Sequence, residues 1–105
     1  MTDWAIGDIQ GCAKPFFQLL EKTAFNPQHD TLWVAGDMVN RGPDNLSVVR
    51  YIKSLGSHAR VVLGNHDLHL LACSEGADTS RGDTLDEVLA HPARERYLSW
   101  LLKQP

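Results

Sequence analysis

No stretch of about 18 apolar residues runs through these 105 residues, so no helix of the chain is expected to span a membrane. Basic charge is short as well. Ten Lys and Arg stand against 13 Asp and Glu, a formal net charge of −3, which argues against the basic footprint of a general nucleic-acid binder. Only two cysteines are present, Cys12 and Cys73, far apart and without C-x-x-C spacing. They read as reduced, partly buried thiols of a cytoplasmic protein. The opening MTDWAIGDIQ lacks the basic start and apolar stretch of a secretory signal, so none is expected. There is no low-complexity tract. The length suits a single domain over residues 1–105, with enough chain to bury a core.

Three short apolar runs end alike: WAIGD at Asp8, LWVAGD at Asp37 and VVLGN at Asn65, 29 and 28 residues apart. Each reads as a strand buried on both faces. Helical patterns lie between them. Phe16, Leu19, Leu20 and Ala24 follow one helix face, with Pro15 tolerable in the first turn. Leu46, Val49, Ile52 and Leu55 follow another, with Gly56 placed to end it. Strand and helix alternating at this period predict α/β architecture: βαβαβ units with a parallel sheet and right-handed crossovers. After Asn65, HDLHLLA continues as a helix. CSEGADTSRGD is polar and reads as a mobile loop, and TLDE offers a capping box, Thr84 with Glu87, for a short helix. A last helix follows Pro92, with Tyr97, Leu98, Leu101 and Leu102 on one side.

Ligands of open parallel sheets bind at the carboxyl ends of the strands. Asp8, Asp37 and Asn65 should therefore converge on one crevice. Two carboxylates and an amide oxygen suit hard divalent cations. Arg41, four residues past Asp37, suits paired hydrogen bonds to phosphate oxygens. His66, directly after Asn65, is placed to protonate a leaving oxygen. His69 lies one turn later and either faces substrate or is merely packed. Asp67 either orients His66 or, as an acid in a first helical turn, only complements the helix dipole.

GDIQG, GDMVNRG and GNHD together resemble the signature blocks GDxHG, GDxxDRG and GNHE of the metal-dependent phosphoprotein-phosphatase superfamily. DTLWVAGDMVNRGP, YIKSLG and VVLGNHDLHLLA are similar, more narrowly, to its branch of bacterial symmetrical dinucleoside (diadenosine) tetraphosphatases. The resemblance is tight from Ala5 to about Ala72 and looser beyond. It implies the N-terminal half of a calcineurin-like metallophosphatase sandwich, and two divalent cations, Mn²⁺ first with Co²⁺ or Mg²⁺ as alternatives. By the same resemblance Asp8 is a ligand of the first cation, Asp37 bridges, and Asn65 holds the second. Arg41 is the phosphate clamp and His66 the general acid. The implied reaction is hydrolysis of a dinucleoside polyphosphate, giving two ADP from diadenosine tetraphosphate.

This sequence departs from the pattern at three positions. Gln10 stands where GDxHG has His, and either ligates weakly through its oxygen or acts through a water. Asn40 stands where GDxxDRG has Asp; it is expected to accept a hydrogen bond from His66 without adding charge. Asp67 replaces Glu. The two later histidine ligands of the family have no match, His91 being the only later histidine. The chain is therefore expected to be an incomplete metallophosphatase-like domain, weakly active alone, and prone to self-association through the uncovered sheet; the alternative is a naturally short relative. Two other functional readings stand beside the leading one: a hydrolase of nucleotide-capped RNA 5′ ends, and a non-catalytic metal- or nucleotide-binding module.

Overall fold

The computed structural model describes residues 2–77 and 83–104. Strands β1 (Asp3–Ile6), β2 (Thr31–Ala35) and β3 (Ala59–Val62) alternate with helices α1 (Ala13–Lys22) and α2 (Asn45–Ser54). A 3-10 turn over Gly56–His58 leads into β3, and α3 (Asn65–Ser74), α4 (Asp86–Leu89) and α5 (Arg94–Leu102) follow. β2 is the central strand and pairs parallel with both neighbours, Ile6 opposite Val34 and Val34 opposite Val61. The expected βαβαβ order and parallel sheet are what forms.

The sheet is not buried on both faces. Leu32, Val34 and Val61 point into the core with Phe16 and Leu20 of α1 and Val48, Val49 and Ile52 of α2. The alternate residues face out: Trp33 is 48% exposed and Val62 55%, with Asp3, Ala5, Ala35 and Arg60 also exposed. Successive side chains of a strand point to opposite faces, and the described helices cover one of them. A run such as LWVA is apolar on both sides, so its composition does not say which side is covered. α4 and α5 pack on α2, and α5 also on α3, adding Leu85, Val88, Leu98 and Leu101 to the core.

The helix stripes differ from expectation at their ends. In α1 the buried positions are Ala13, Phe16 and Leu20, while Leu19 is 46% exposed. Ala24 lies past the helix. Its amide donates to the Glu21 carbonyl and that of Phe25 to the Leu20 carbonyl, a Schellman closure with Ala24 left-handed at φ 57°. In α5 Leu102 is exposed rather than packed. The loop expected over 73–83 begins later, because Cys73 and Ser74 complete α3; residues 78–82 of it lie outside the described residues. Thr84 and Glu87 form no capping box. α4 starts at Asp86 without a side-chain cap, and both residues serve α2 instead. The Glu87 carboxylate accepts the Asn45 backbone N–H, and Thr84 accepts from the Asn45 side chain.

Candidate functional site

β1 and β2 end just before their glycines and β3 one residue earlier, so the two Gly-Asp pairs fall in turns above the sheet and Gly64-Asn65 at the turn that opens α3. Six non-glycine residues of the described chain have left-handed backbone, and five lie in two of these turns: Asp8, Gln10, Asp37, Asn40 and Arg41, with φ between 50° and 81°. Such conformations cost free energy and persist only where surrounding contacts impose them. Here backbone bonds do so. The Gln10 amide donates to the Asp37 carbonyl at 2.9 Å and the Gly11 amide to the Met38 carbonyl at 2.8 Å. The Gly42 amide returns to the Gln10 carbonyl at 2.7 Å. A Cβ at Gly42 would collide with that carbonyl, so only glycine lets the two turns close.

The third turn is bound to the second by side chains. The Asp37 Oδ1 accepts the His66 backbone N–H at 2.9 Å. Asp67, fully buried, accepts the Met38 N–H at 2.9 Å with Oδ1 and the Gly64 N–H at 3.0 Å with Oδ2. Burial pushes its carboxyl above the ordinary range, while these N–H bonds pull it back. Asp67 therefore clips two turns together. It was expected either beside the His66 ring or as a plain helix-start acid. Both its oxygens are spent on backbone, so it does not orient the imidazole.

Asp8, Asp37, Asn65 and His66 thus stand at the carboxyl ends of three adjacent parallel strands, on one end of the molecule. Asp8 and Asn65 are exposed and Asp37 half-buried. Among the described residues nothing is bonded to the Asp8 carboxylate, and of Asp37 only Oδ1 is engaged, by the His66 N–H. Two carboxylates with oxygens to spare and an amide are donors that a hard divalent cation takes, so these residues fit one. Gln10 is half-buried in the same turn. No group of three or more His, Cys, Asp and Glu arranged for a metal occurs among the described residues. His91 instead packs edge-on against Tyr97. Arg41 is exposed beside the turn.

The His66 ring is held differently from expectation. Asn40, fully buried, uses its Oδ1 to accept from the backbone N–H groups of Arg41 and Thr84, at 2.9 and 3.0 Å. Backbone amides only donate, so Oδ1 is fixed there and Nδ2 must face the other way. Nδ2 then donates to His66 Nδ1 at 3.1 Å and to Asp83 Oδ1 at 2.9 Å. Asn40 is a donor to His66, not an acceptor. His69, considered for substrate contact, has its Nε2 2.7 Å from Asp83 Oδ2. Asp83 is the residue that sequence reasoning missed; it lies 43 positions from Asn40 and only the fold brings them together.

Comparison with known proteins agrees with this geometry. The calcineurin-like phosphoesterase family model matches residues 1–102. A symmetrical bis(5′-nucleosyl)-tetraphosphatase of Marinomonas sp. (strain MWYL1) is 53% identical over the whole chain, and one of Chromohalobacter salexigens is 54% identical. A crystal structure described as that of a candidate diadenosine tetraphosphatase superposes with a TM-score of 0.77 at 36% identity, covering 96% of this chain and 41% of that one. The chain spans 38% and 39% of the length of the two curated relatives.

Proposed function

The chain belongs to the calcineurin-like phosphoesterase family, and on that premise we propose that it forms part of a metal-dependent hydrolase that splits diadenosine tetraphosphate symmetrically into two ADP. One observation carries the reading. Three strand-end turns, two of them built on left-handed residues, hold Asp8, Asp37, Asn65 and Arg41 at one end of the sheet. The relatives that match the whole chain carry a name for this reaction.

Asp8, Asp37 and Asn65, with Gln10 beside them, would hold two divalent cations, Mn²⁺ by preference. Bound cations stabilise the charge that develops on a transferring phosphoryl group. Arg41, an exposed residue of the second turn, would clamp phosphate oxygens by paired hydrogen bonds. His66 carries its proton on Nε2, because Nδ1 accepts from Asn40. That N–H offers the leaving oxygen a hydrogen bond, and water supplies the proton it finally takes, because a neutral imidazole that gave up its only proton would be left as imidazolate. Asp67 keeps the second and third turns in register and touches no substrate. The reading keeps the protein in the cytoplasm with both thiols reduced, and treats residues 1–105 as one incomplete domain.

The test is chromatography of products from diadenosine tetraphosphate with and without Mn²⁺. Metal-dependent formation of ADP alone supports the reading. Paired AMP and ATP overturns symmetrical cleavage. Mn²⁺ and nucleotide binding without turnover marks a binding module, and faster release from a nucleotide-capped RNA marks a decapping hydrolase.

A further inference from the structure

We propose that Asp83, with His69 behind it, is a positioning residue that dictates asparagine at position 40 and through it keeps the His66 proton on Nε2. The inference rests on the reading of His66 Nε2–H as hydrogen-bond donor to the leaving oxygen only for its functional consequence; the geometry stands without it.

Asn40 has two amide hydrogens and two carbonyl lone pairs, and all four are used. The lone pairs go to the Arg41 and Thr84 backbone N–H groups. The hydrogens go to Asp83 Oδ1 and His66 Nδ1. Asp83 is an acceptor at both oxygens, toward Asn40 and, at 2.7 Å, toward His69 Nε2. Its side chain is only 3% exposed. A buried carboxylate in this place needs a donor facing it from position 40. Aspartate there would set two carboxylates at hydrogen-bond distance, and ionising both in a buried site is strongly disfavoured. Asn40 and Asp83 therefore form an interlock. Its polarity runs from His69 and Asn40 as donors into Asp83, and from Asn40 into His66 Nδ1. A neutral imidazole that accepts at Nδ1 must carry its proton at Nε2. An aspartate at position 40 would accept from Nδ1–H instead, moving the proton to the opposite ring nitrogen.

The experiment reads the ring nitrogens of His66 by ¹⁵N NMR of the 105-residue protein, above the ordinary imidazole titration range, with His66→Gln to assign the signals. Wild type shows protonated Nε2 and bare Nδ1. Asn40→Asp loses denaturation midpoint in urea. The double variant Asn40→Asp with Asp83→Asn, which reverses donor and acceptor at both positions, recovers the midpoint and shows protonated Nδ1. The proposal is overturned if wild-type His66 carries its proton on Nδ1, a measurement that needs no variant. It is overturned equally if the double variant is no more stable than Asn40→Asp. None of these readouts uses substrate, so a protein that shows them but releases no ADP refutes the proposed reaction and leaves the interlock standing.

Discussion

At the scale of the residue, the site separates groups that face outward from groups that hold the turns. Asp67 is the clearest of the second kind. Replacing it with alanine strands the Met38 and Gly64 amides in the interior, and each such loss costs about 1–3 kcal/mol. Asp67→Ala should lower unfolding free energy by roughly 3 kcal/mol in urea titration. Asp67→Asn, which keeps one acceptor oxygen, should lose less. Asp37 and Asp8 belong to the first kind. Asp37→Asn retains an oxygen for the His66 amide, so its fold survives, but it removes the charge between the turns. Calorimetric titration should show Mn²⁺ affinity falling by about tenfold or more, roughly 1.4 kcal/mol, and by less in Asp8→Asn. Equal small losses would remove the case for Asp37 as the shared ligand. The turns bearing these residues were legible in the sequence because a glycine before a short polar residue at a strand end is a local signal. Asp83 was not. It sits in a polar stretch like any surface loop, and it meets His69 and Asn40 only when α4 docks on α2.

Among the elements, the helix closures and the start of the sheet offer sharper tests than the helix faces. α1 ends on a left-handed alanine, a conformation that costs an L residue about 1–2 kcal/mol and glycine almost nothing. Ala24→Gly should therefore raise stability by about 1 kcal/mol, net of the larger entropy glycine loses on folding; a flat or lower melting temperature would count against the closure. β1 and β2 begin at a shared clamp. The Asp30 carboxylate accepts the Asn26 amide and the Thr2 amide, each at 2.9 Å, and its carbonyl meets His58 Nδ1 at 2.9 Å. The Asn26 N–H bond, more than the others, holds the Asp30 carboxyl below its ordinary value, against the opposing effect of burial. A depressed folded value means the ionised form stabilises the fold above the unfolded carboxylate range. That contribution disappears as pH falls below about 3.9. Asp30→Asn should be less stable than wild type at neutral pH, with the gap closing in acid when melting curves are compared. Thr84 and Glu87 show where local reading fails. Their spacing satisfies a helix-start pattern, yet the Glu87 side chain accepts the first backbone N–H of α2 and Thr84 accepts from the Asn45 side chain, because Asn45 needs partners that its own helix does not supply.

For the whole molecule, order and direction of strands followed from the 28- and 29-residue rhythm, whereas coverage did not. Trp33 and Val34 look alike in composition, and only the placement of every described helix on one side decides that Val34 is buried and Trp33 is half in water. That asymmetry makes the protein its own optical gauge. Of three tryptophans, Trp4 and Trp100 are packed against the core, while the Trp33 indole stands on the open face above Ala5, Ala35 and Val62. Its fluorescence should lie to the red and be readily quenched by acrylamide, and Trp33→Phe should abolish most of the quenchable light. Whatever comes to lie on that face, a second copy at high concentration or additional chain of the kind its longer relatives possess, should shift the emission to the blue and shield it from the quencher. Coverage of the sheet can then be followed in real time by the colour of a single side chain, with no label attached.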